Sequence, residues 1–286
     1  MGDGPSPLML RRRLRTEIRT ARLTKELTQE QVAKAMDWSL SKMNRIEKAK
    51  TGISVNDLKA LLWLYGITDE KRTDELVALA RAARQPGWWS PYSEFAPPLL
   101  PELIDYESAA SVVSQFETLL VPRILQTEGY ASTVLQVYYK NFAHEHRAAL
   151  IDLNTRRRDL LTSGDAPKFY FVLDESVIRR VVGSRVIMGR QLQHLADMAE
   201  LPNVTIQVVP FTAGLHPGMK GPFEVVQFDD SPDEDVVFIE GSGGDLISDD
   251  PVETKAYLDA FERITAASLG PSGSVGRLRQ SAAEMM

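Results

Sequence analysis

Residues 28–50, TQEQVAKAMDWSLSKMNRIEKAK, carry the reading on which the rest depends. Thr28 and Gln31 have the T-x-x-Q spacing of a capping box, which predicts a helix starting at Gln29. Val32, Ala33 and Met36 then share one face, at i, i+1 and i+4. The chain turns at Asp37-Trp38, and Ser39 is placed to cap a second helix running to about Lys48. Met43 and Ile46 give that second helix an inner face, while Leu40, Ser41, Lys42, Asn44 and Arg45 line its other side. A helix held by two apolar residues and presenting hydroxyl, amide and guanidinium groups outward suits the major groove of double-stranded DNA.

Residues 8–84 resemble the Xre-type helix-turn-helix domain of the phage repressor and Cro superfamily. The matching signs are Thr28-Gln29 opening the second helix, small Ala33 where the two helices cross, and Ile46-Glu47 closing the recognition helix. The resemblance implies that Gln29 binds a phosphate oxygen and that Arg22 on helix one pairs with Glu47. It places base contacts at Leu40, Ser41 and Arg45, with Lys42 and Asn44 beside them. The candidate DNA-binding set is therefore Gln29, Ser39, Leu40, Ser41, Lys42, Asn44 and Arg45, with Ser39 opening the helix. Asp37 departs from the family pattern, which prefers Gly because the turn residue needs positive φ. Asp tolerates that region better than most residues, so a small stability cost is expected and not a different fold.

The flanking sequence completes a five-helix, all-α domain over residues 1–84. Leu10, Leu14, Ile18 and Ala21 recur at helical spacing within Leu8–Leu23. Ser54 and Asp57 open a fourth helix with Leu58, Leu61, Leu62 and Tyr65, stopped by Gly66. Thr68-Asp69-Glu70 opens a fifth with Leu76, Leu79 and Ala83. The bland alternative is a helical bundle with no nucleic-acid role, since caps and apolar spacing recur in many bundles.

A chain of 286 residues fits two domains, and its 43% hydrophobic and 25% charged composition is ordinary for a folded protein. No apolar run approaches the roughly 20 residues a membrane span needs. The opening MGDGPSPLMLRRR lacks the charged-then-apolar order of a signal peptide, so a cytoplasmic protein with no membrane partner is expected. With no cysteine, disulfides, thiolate nucleophiles and Cys-ligated zinc are excluded. The net charge of −6 is unevenly placed: residues 1–84 hold 17 Lys+Arg against 11 Asp+Glu, and the remainder 16 against 28. A basic module joined to an acidic body fits a DNA-reading head on a domain that does not touch DNA.

Gln85-Pro86-Gly87-Trp88-Trp89 ends the helical pattern and opens a junction over 85–101, whose Pro-rich part, Pro91–Pro101, reads as extended or turn-like. The Trp pair reads as core or domain packing in preference to a ligand platform. Residues 102–269 mix both periodicities. Strands are predicted at 111–116, 168–173, 204–209, 223–228 and 236–240, and helices at 129–139, 145–161, 174–180, 186–201 and 251–267. Short polar returns between strands imply an α+β domain, an antiparallel or mixed sheet with packed helices. Residues 270–286, rich in Ser and Gly, read as a mobile tail or loose helix.

LLVPRILQTEGYA (119–131), LDES (173–176) and LPNVTIQVVPFTAGLHPGMKGPF (201–223) resemble the C-terminal domain that follows an Xre-type module in actinobacterial WhiJ-like and antitoxin-like transcriptional regulators. Arg123 stands where those proteins usually have Gly. The resemblance implies transcriptional regulation, often beside a small cognate protein, and no particular ligand.

Several groups imitate active sites without their geometry. Asp174 is better placed as an N-cap than as half of a carboxylate pair with Glu175. His144 and His146, two apart, cannot chelate one metal from one helix face, and no metal or other cofactor is expected. The acidic run Asp229, Asp230, Asp233, Glu234 and Asp235 reads as a solvated hairpin loop, and Arg156–Arg158 as a charged helix surface. The segment 214–222 is harder to set aside: Gly218 and Gly221 let a backbone approach a ligand, and His216 and Lys220 offer anion-binding donors, so it is a candidate ligand or partner loop. With no nucleophile, base and orienting group in order, the chain does not read as an enzyme. It reads as a sequence-specific DNA-binding regulator, a homodimer on a two-fold operator, whose second domain senses a small-molecule effector or a protein partner. The alternative is an antitoxin-like protein that binds a small cognate protein and regulates its own promoter. Helix 251–267 and the strands beside it are the expected dimer surface outside the first domain.

Overall fold

The computed structural model describes residues 6–49, 51–229, 235–241 and 244–286. The chain divides into two compact units between Ser90 and Pro91, inside the stretch read as a junction.

The first unit holds α1 (Pro7–Thr24), α2 (Gln29–Ala35), α3 (Leu40–Glu47), α4 (Val55–Leu64) and α5 (Glu70–Ala82). Every start carries a side-chain cap: Ser6, Thr28, Ser39, Ser54 and Asp69 each accept a backbone N–H from the first turn. Such caps contribute about 1 kcal/mol apiece by satisfying donors the helix leaves orphaned. At Thr28 the capping box is complete, with the Gln31 side chain accepting from the Thr28 N–H at 2.8 Å. Asp37 adopts φ 54°, the left-handed turn that separates α2 from α3. Leu14, Ile18, Val32, Met43, Ile46, Leu58, Leu61 and Leu76 close one shared core.

The second unit is a six-stranded mixed sheet with packed helices. It comprises α6 (Leu100–Ala109), β1 (Val112–Glu117), α7 (Glu128–Tyr138), α8 (His144–Arg158), β2 (Lys168–Asp174), α9 (Glu175–Arg179), α10 (Arg185–Met198), β3 (Val204–Val209), β4 (Phe223–Gln227), β5 (Val236–Ile239), β6 (Leu246–Ser248), α11 (Pro251–Ala267) and α12 (Pro271–Met285). Strand order is β3-β2-β1-β4-β5-β6. The first three are mutually parallel and the last three join antiparallel, with β1 as the hinge between the halves. Helical crossovers connect the parallel strands, as parallel pairing requires. On one sheet face Phe116, Val172, Val209, Phe223, Val225 and Val237 pack against Phe261 and Ile264 of α11.

Three expectations need correction. Residues 270–286 are not a tail: α12 packs on α10 and on the edge of β3. The Ser274 hydroxyl accepts from Val208 N–H at 3.0 Å, and the Leu269 N–H donates to the Val208 carbonyl at 2.9 Å, so both backbone groups of Val208 on the sheet edge are paired. Ser and Gly weaken a helix in isolation, yet small residues here allow close packing, with Gly189 of α10 facing Ala282, Met285 and Met286. The apolar side of α11 lies against the sheet and is not a free dimer surface. Finally, of Arg156–Arg158 only Arg156 is exposed. Arg157 is buried against Glu107, and Arg158 donates to the carbonyls of Ile124 and Gln126. The helix α6 and short β6 had no reading in the sequence. Asp230, Asp233 and Glu234 lie outside the described residues; Asp235 is buried and accepts the Phe228 N–H at 3.1 Å.

Candidate nucleic-acid interface

The inner side of α3 is fixed by apolar contact and by one buried ion pair. Met43, Ile46 and Glu47 are buried at i, i+3 and i+4. Arg22 of α1 meets Glu47 bidentately, Nε to Oε1 at 2.7 Å and NH2 to Oε2 at 2.9 Å. The third guanidinium nitrogen donates to the Leu27 carbonyl at 2.7 Å, tying in the loop before α2. Glu47 holds the guanidinium in its charged form, through their hydrogen bonds first. The Tyr65 ring lies buried in the same core, and its hydroxyl has no hydrogen-bond partner among the described residues. Burial, then the nearby Glu47 charge, pushes that phenol up.

Gln29 sits within this arrangement. Its Nε2 donates to Glu47 Oε2 at 2.6 Å, so the residue taken as a phosphate contact also completes the Glu47 cradle. An amide nitrogen has two donors, and one remains for a phosphate beside the backbone N–H groups that open α2.

The outer side of α3 presents Leu40, Ser41 and Arg45 as exposed side chains, with Asn44 half-buried and Lys48 at the end. Ser41, Asn44 and Arg45 make no side-chain hydrogen bond or ion pair among the described residues. Ser39 is committed to its cap, accepting the Lys42 N–H at 3.1 Å. Lys42 is engaged too: its Nζ lies 3.1 Å from Asp57 Oδ2 on α4 and 4.1 Å from the centre of the Trp38 ring. The sequence reading used Asp57 only to open the fourth helix; its place in that first turn also brings it within reach of Lys42.

In the second unit the loop from β3 to β4 crosses the carboxyl ends of β2 and β1. Glu175 Oε2 accepts the Phe211 N–H at 2.9 Å, and His216 Nε2 lies 3.6 Å from Asp174 Oδ2. Asp174 also caps α9, accepting the Ser176 N–H at 2.8 Å. The His216 ring meets Phe116 edge to face at 5.8 Å, and Gly218 lies so close to Phe116 that an added Cβ would stand 2.2 Å from the ring. Lys220 and Gly221 lie further along, Lys220 exposed and Gly221 at φ 132°. His216 and Lys220 therefore do not converge: one faces a carboxylate inside, the other faces outward. Among the described residues no group of His, Asp and Glu is placed to hold a metal ion, and no helix is long and apolar enough to cross a membrane.

Residues 13–85 match the sequence profile of a helix-turn-helix domain, and residues 100–280 match that of a domain of unknown function, DUF5753. The chain belongs to the DUF5753 family. The first unit is thus a helix-turn-helix domain, which marks a DNA-binding regulator. The DUF5753 match spans α6 to most of α12 and supplies no activity of its own. No curated protein and no solved structure matches the chain.

Proposed function

We propose that this DUF5753 protein is an Xre-type, sequence-specific transcriptional regulator that reads the DNA major groove with α3. One observation supports the reading most: the inner side of α3 is locked by Glu47, while Ser41, Asn44 and Arg45 on the outer side have no partner among the described residues. Arg45 fits the O6 and N7 edge of guanine, and Leu40 suits a thymine methyl group. Gln29 and the first turn of α2 position the phosphate backbone. Lys42 can leave Asp57 for a DNA phosphate at little cost, because an ion pair with side chains 37% and 34% exposed contributes at most about 1 kcal/mol.

A single module buries only about 600–1,000 Å² on DNA, so a homodimer on a two-fold site is the form that gives tight binding. Half-sites would stand about 10 bp apart, centre to centre, or at a multiple of it. The DUF5753 unit is the responsive part, taking a small-molecule effector or a small protein partner. Genome-wide footprinting with the purified full-length protein tests the proposal, repeated with any co-purifying small protein. Discrete two-fold sites upstream of genes support it; uniform, sequence-independent protection overturns it.

A further inference from the structure

The second unit buries more carboxylate than it buries cation, at the hinge between the parallel and antiparallel halves of the sheet. Arg157 of α8 gives Nε to Glu107 Oε2 at 2.6 Å and NH2 to Glu107 Oε1 at 2.5 Å, so Glu107 of α6 takes both arms of the guanidinium fork. Glu224 of β4 is left 4.0 Å from the same NH2 through Oε2, and its Oε1 has no partner among the described residues. All three side chains are at most 3% exposed. Two buried carboxyl groups thus face a single guanidinium whose charge is already paired bidentately with one of them.

Among the described residues, the neighbouring side chains do not supply the missing charge. Gln115 of β1, directly opposite Glu224 in the ladder, turns its amide to Glu117 Oε1 at 2.9 Å. Strand alternation puts Glu117 on the same face, adding a third carboxyl group. Arg123, in the turn after β1, pairs with Glu240 at the end of β5, the fourth. Arg123 and Glu240, with side chains 27% and 49% exposed, balance each other, which leaves Glu107, Glu117 and Glu224 to share Arg157 if all three ionise. An isolated buried carboxylate is far too costly to persist, and the group takes a proton instead.

We propose that Glu224 binds a proton at neutral pH and shares it with Glu107, making the two a carboxylic acid–carboxylate pair whose single charge Arg157 balances. The pair ties α6, α8 and β4 together, so it is a proton-dependent latch across the sheet hinge. Burial first, then the Glu107 charge, holds the Glu224 carboxyl group well above the ordinary carboxylate range, as such a pair requires. Because this folded-state value lies above the unfolded one, the stabilisation is complete below the unfolded value and is lost as pH rises through the folded one. Alkaline conditions release the latch and acid keeps it closed.

Infrared spectroscopy of the full-length protein at neutral pH tests the pair directly. Glu117→Gln serves as the reference, because burial and the Glu240 charge push the Glu117 carboxyl group up to about 8, so it holds a proton of its own at neutral pH. This reference should show a protonated carboxyl band that disappears in the Glu117→Gln/Glu224→Gln double variant. Glu224→Gln alone, isosteric with the protonated form, should keep the melting temperature at neutral pH and lessen its alkaline fall. If the double variant does not fold, the reference alone decides: its band must persist above the pH at which ordinary carboxylates have ionised and fade only on the alkaline side. Absence of that band at neutral pH, or its survival in the folded double variant, overturns the assignment.

Discussion

Arg22 clamps Glu47 with two hydrogen bonds of 2.7 and 2.9 Å, and this pair fastens the first helix to the end of α3. The side chains are only 10% and 3% exposed, so little solvent screens the interaction. Removing one partner of a buried pair costs about 3–5 kcal/mol, because the survivor keeps its charge without compensation. Arg22→Ala and Glu47→Ala should each lower the stability of the first unit by an amount near that range. Glu47→Ala also strands the Gln29 amide, so it should be at least as damaging. The double variant should recover part of the loss. Denaturant unfolding, read by hydrogen exchange in α1 to α3, checks this; wild-type protection in both single variants would mean that the pair contributes nothing.

Asp37 holds φ 54° in the turn between α2 and α3. Left-handed backbone costs an ordinary L-residue about 1–2 kcal/mol, less for Asp, and nothing comparable for Gly. Asp37→Gly should stabilise the unit by less than about 1 kcal/mol, since the added freedom of the unfolded chain offsets part of the gain. Asp37→Val should destabilise by about 1–2 kcal/mol. Thermal melts of the two variants in opposite directions are the expected result.

Gly218 fits against Phe116 because it has no side chain; a Cβ would come within 2.2 Å of the ring. Gly218→Ala should cost the second unit about 1–3 kcal/mol, the usual range for overpacking. Adding Phe116→Leu should return part of it by making room. A melting temperature unchanged by Gly218→Ala would show that the loop shifts freely and is not seated on β1.

The first unit was legible because its signals are local. Capping residues at Thr28, Ser39, Ser54 and Asp69 mark where helices start, and apolar spacing marks which side is inside. What stayed hidden there depends on distance in sequence: the Lys42 bond to Asp57 and the Gln29 bond to Glu47 span 15 and 18 residues. In the second unit most strands were readable from apolar runs, but β6 has only three residues and α6 begins among prolines. The first turns of α12, PSGSVG, are poor in intrinsic helix formers, and the contacts of the helix with α10 and β3 are a tertiary support that composition does not carry. The buried cluster had one visible sign, a Glu inside the apolar strand FEVVQ, and no sign of which residues would meet it.

Glu117 gives the second unit a pH dependence of defined sign. Burial first, and then the Glu240 charge, pushes its carboxyl group up to about 8, against the opposing charge of Arg123. The folded protein therefore binds a proton that the unfolded chain releases near pH 4.3. Stability from this group is complete below about pH 4.3 and declines as pH rises to about 8. Glu117→Gln should flatten that decline, and Arg123→Ala should move it to higher pH by removing the counter-charge. Melting temperatures across the window, compared with wild type, check both.

Selection of binding sites from a pool of random DNA duplexes, with the full-length protein and its Arg45→Ala variant, tests base reading by α3 most directly. Wild type should enrich a two-fold motif with half-sites about 10 bp apart. Arg45→Ala should bind that motif about 1–3 kcal/mol more weakly and lose preference at one position in each half-site. If instead Arg45 merely neutralises phosphate, its loss will weaken every sequence alike and flatten the salt dependence. Enrichment of no motif by wild type, or the same motif at full strength with Arg45→Ala, would contradict a sequence-reading role for α3.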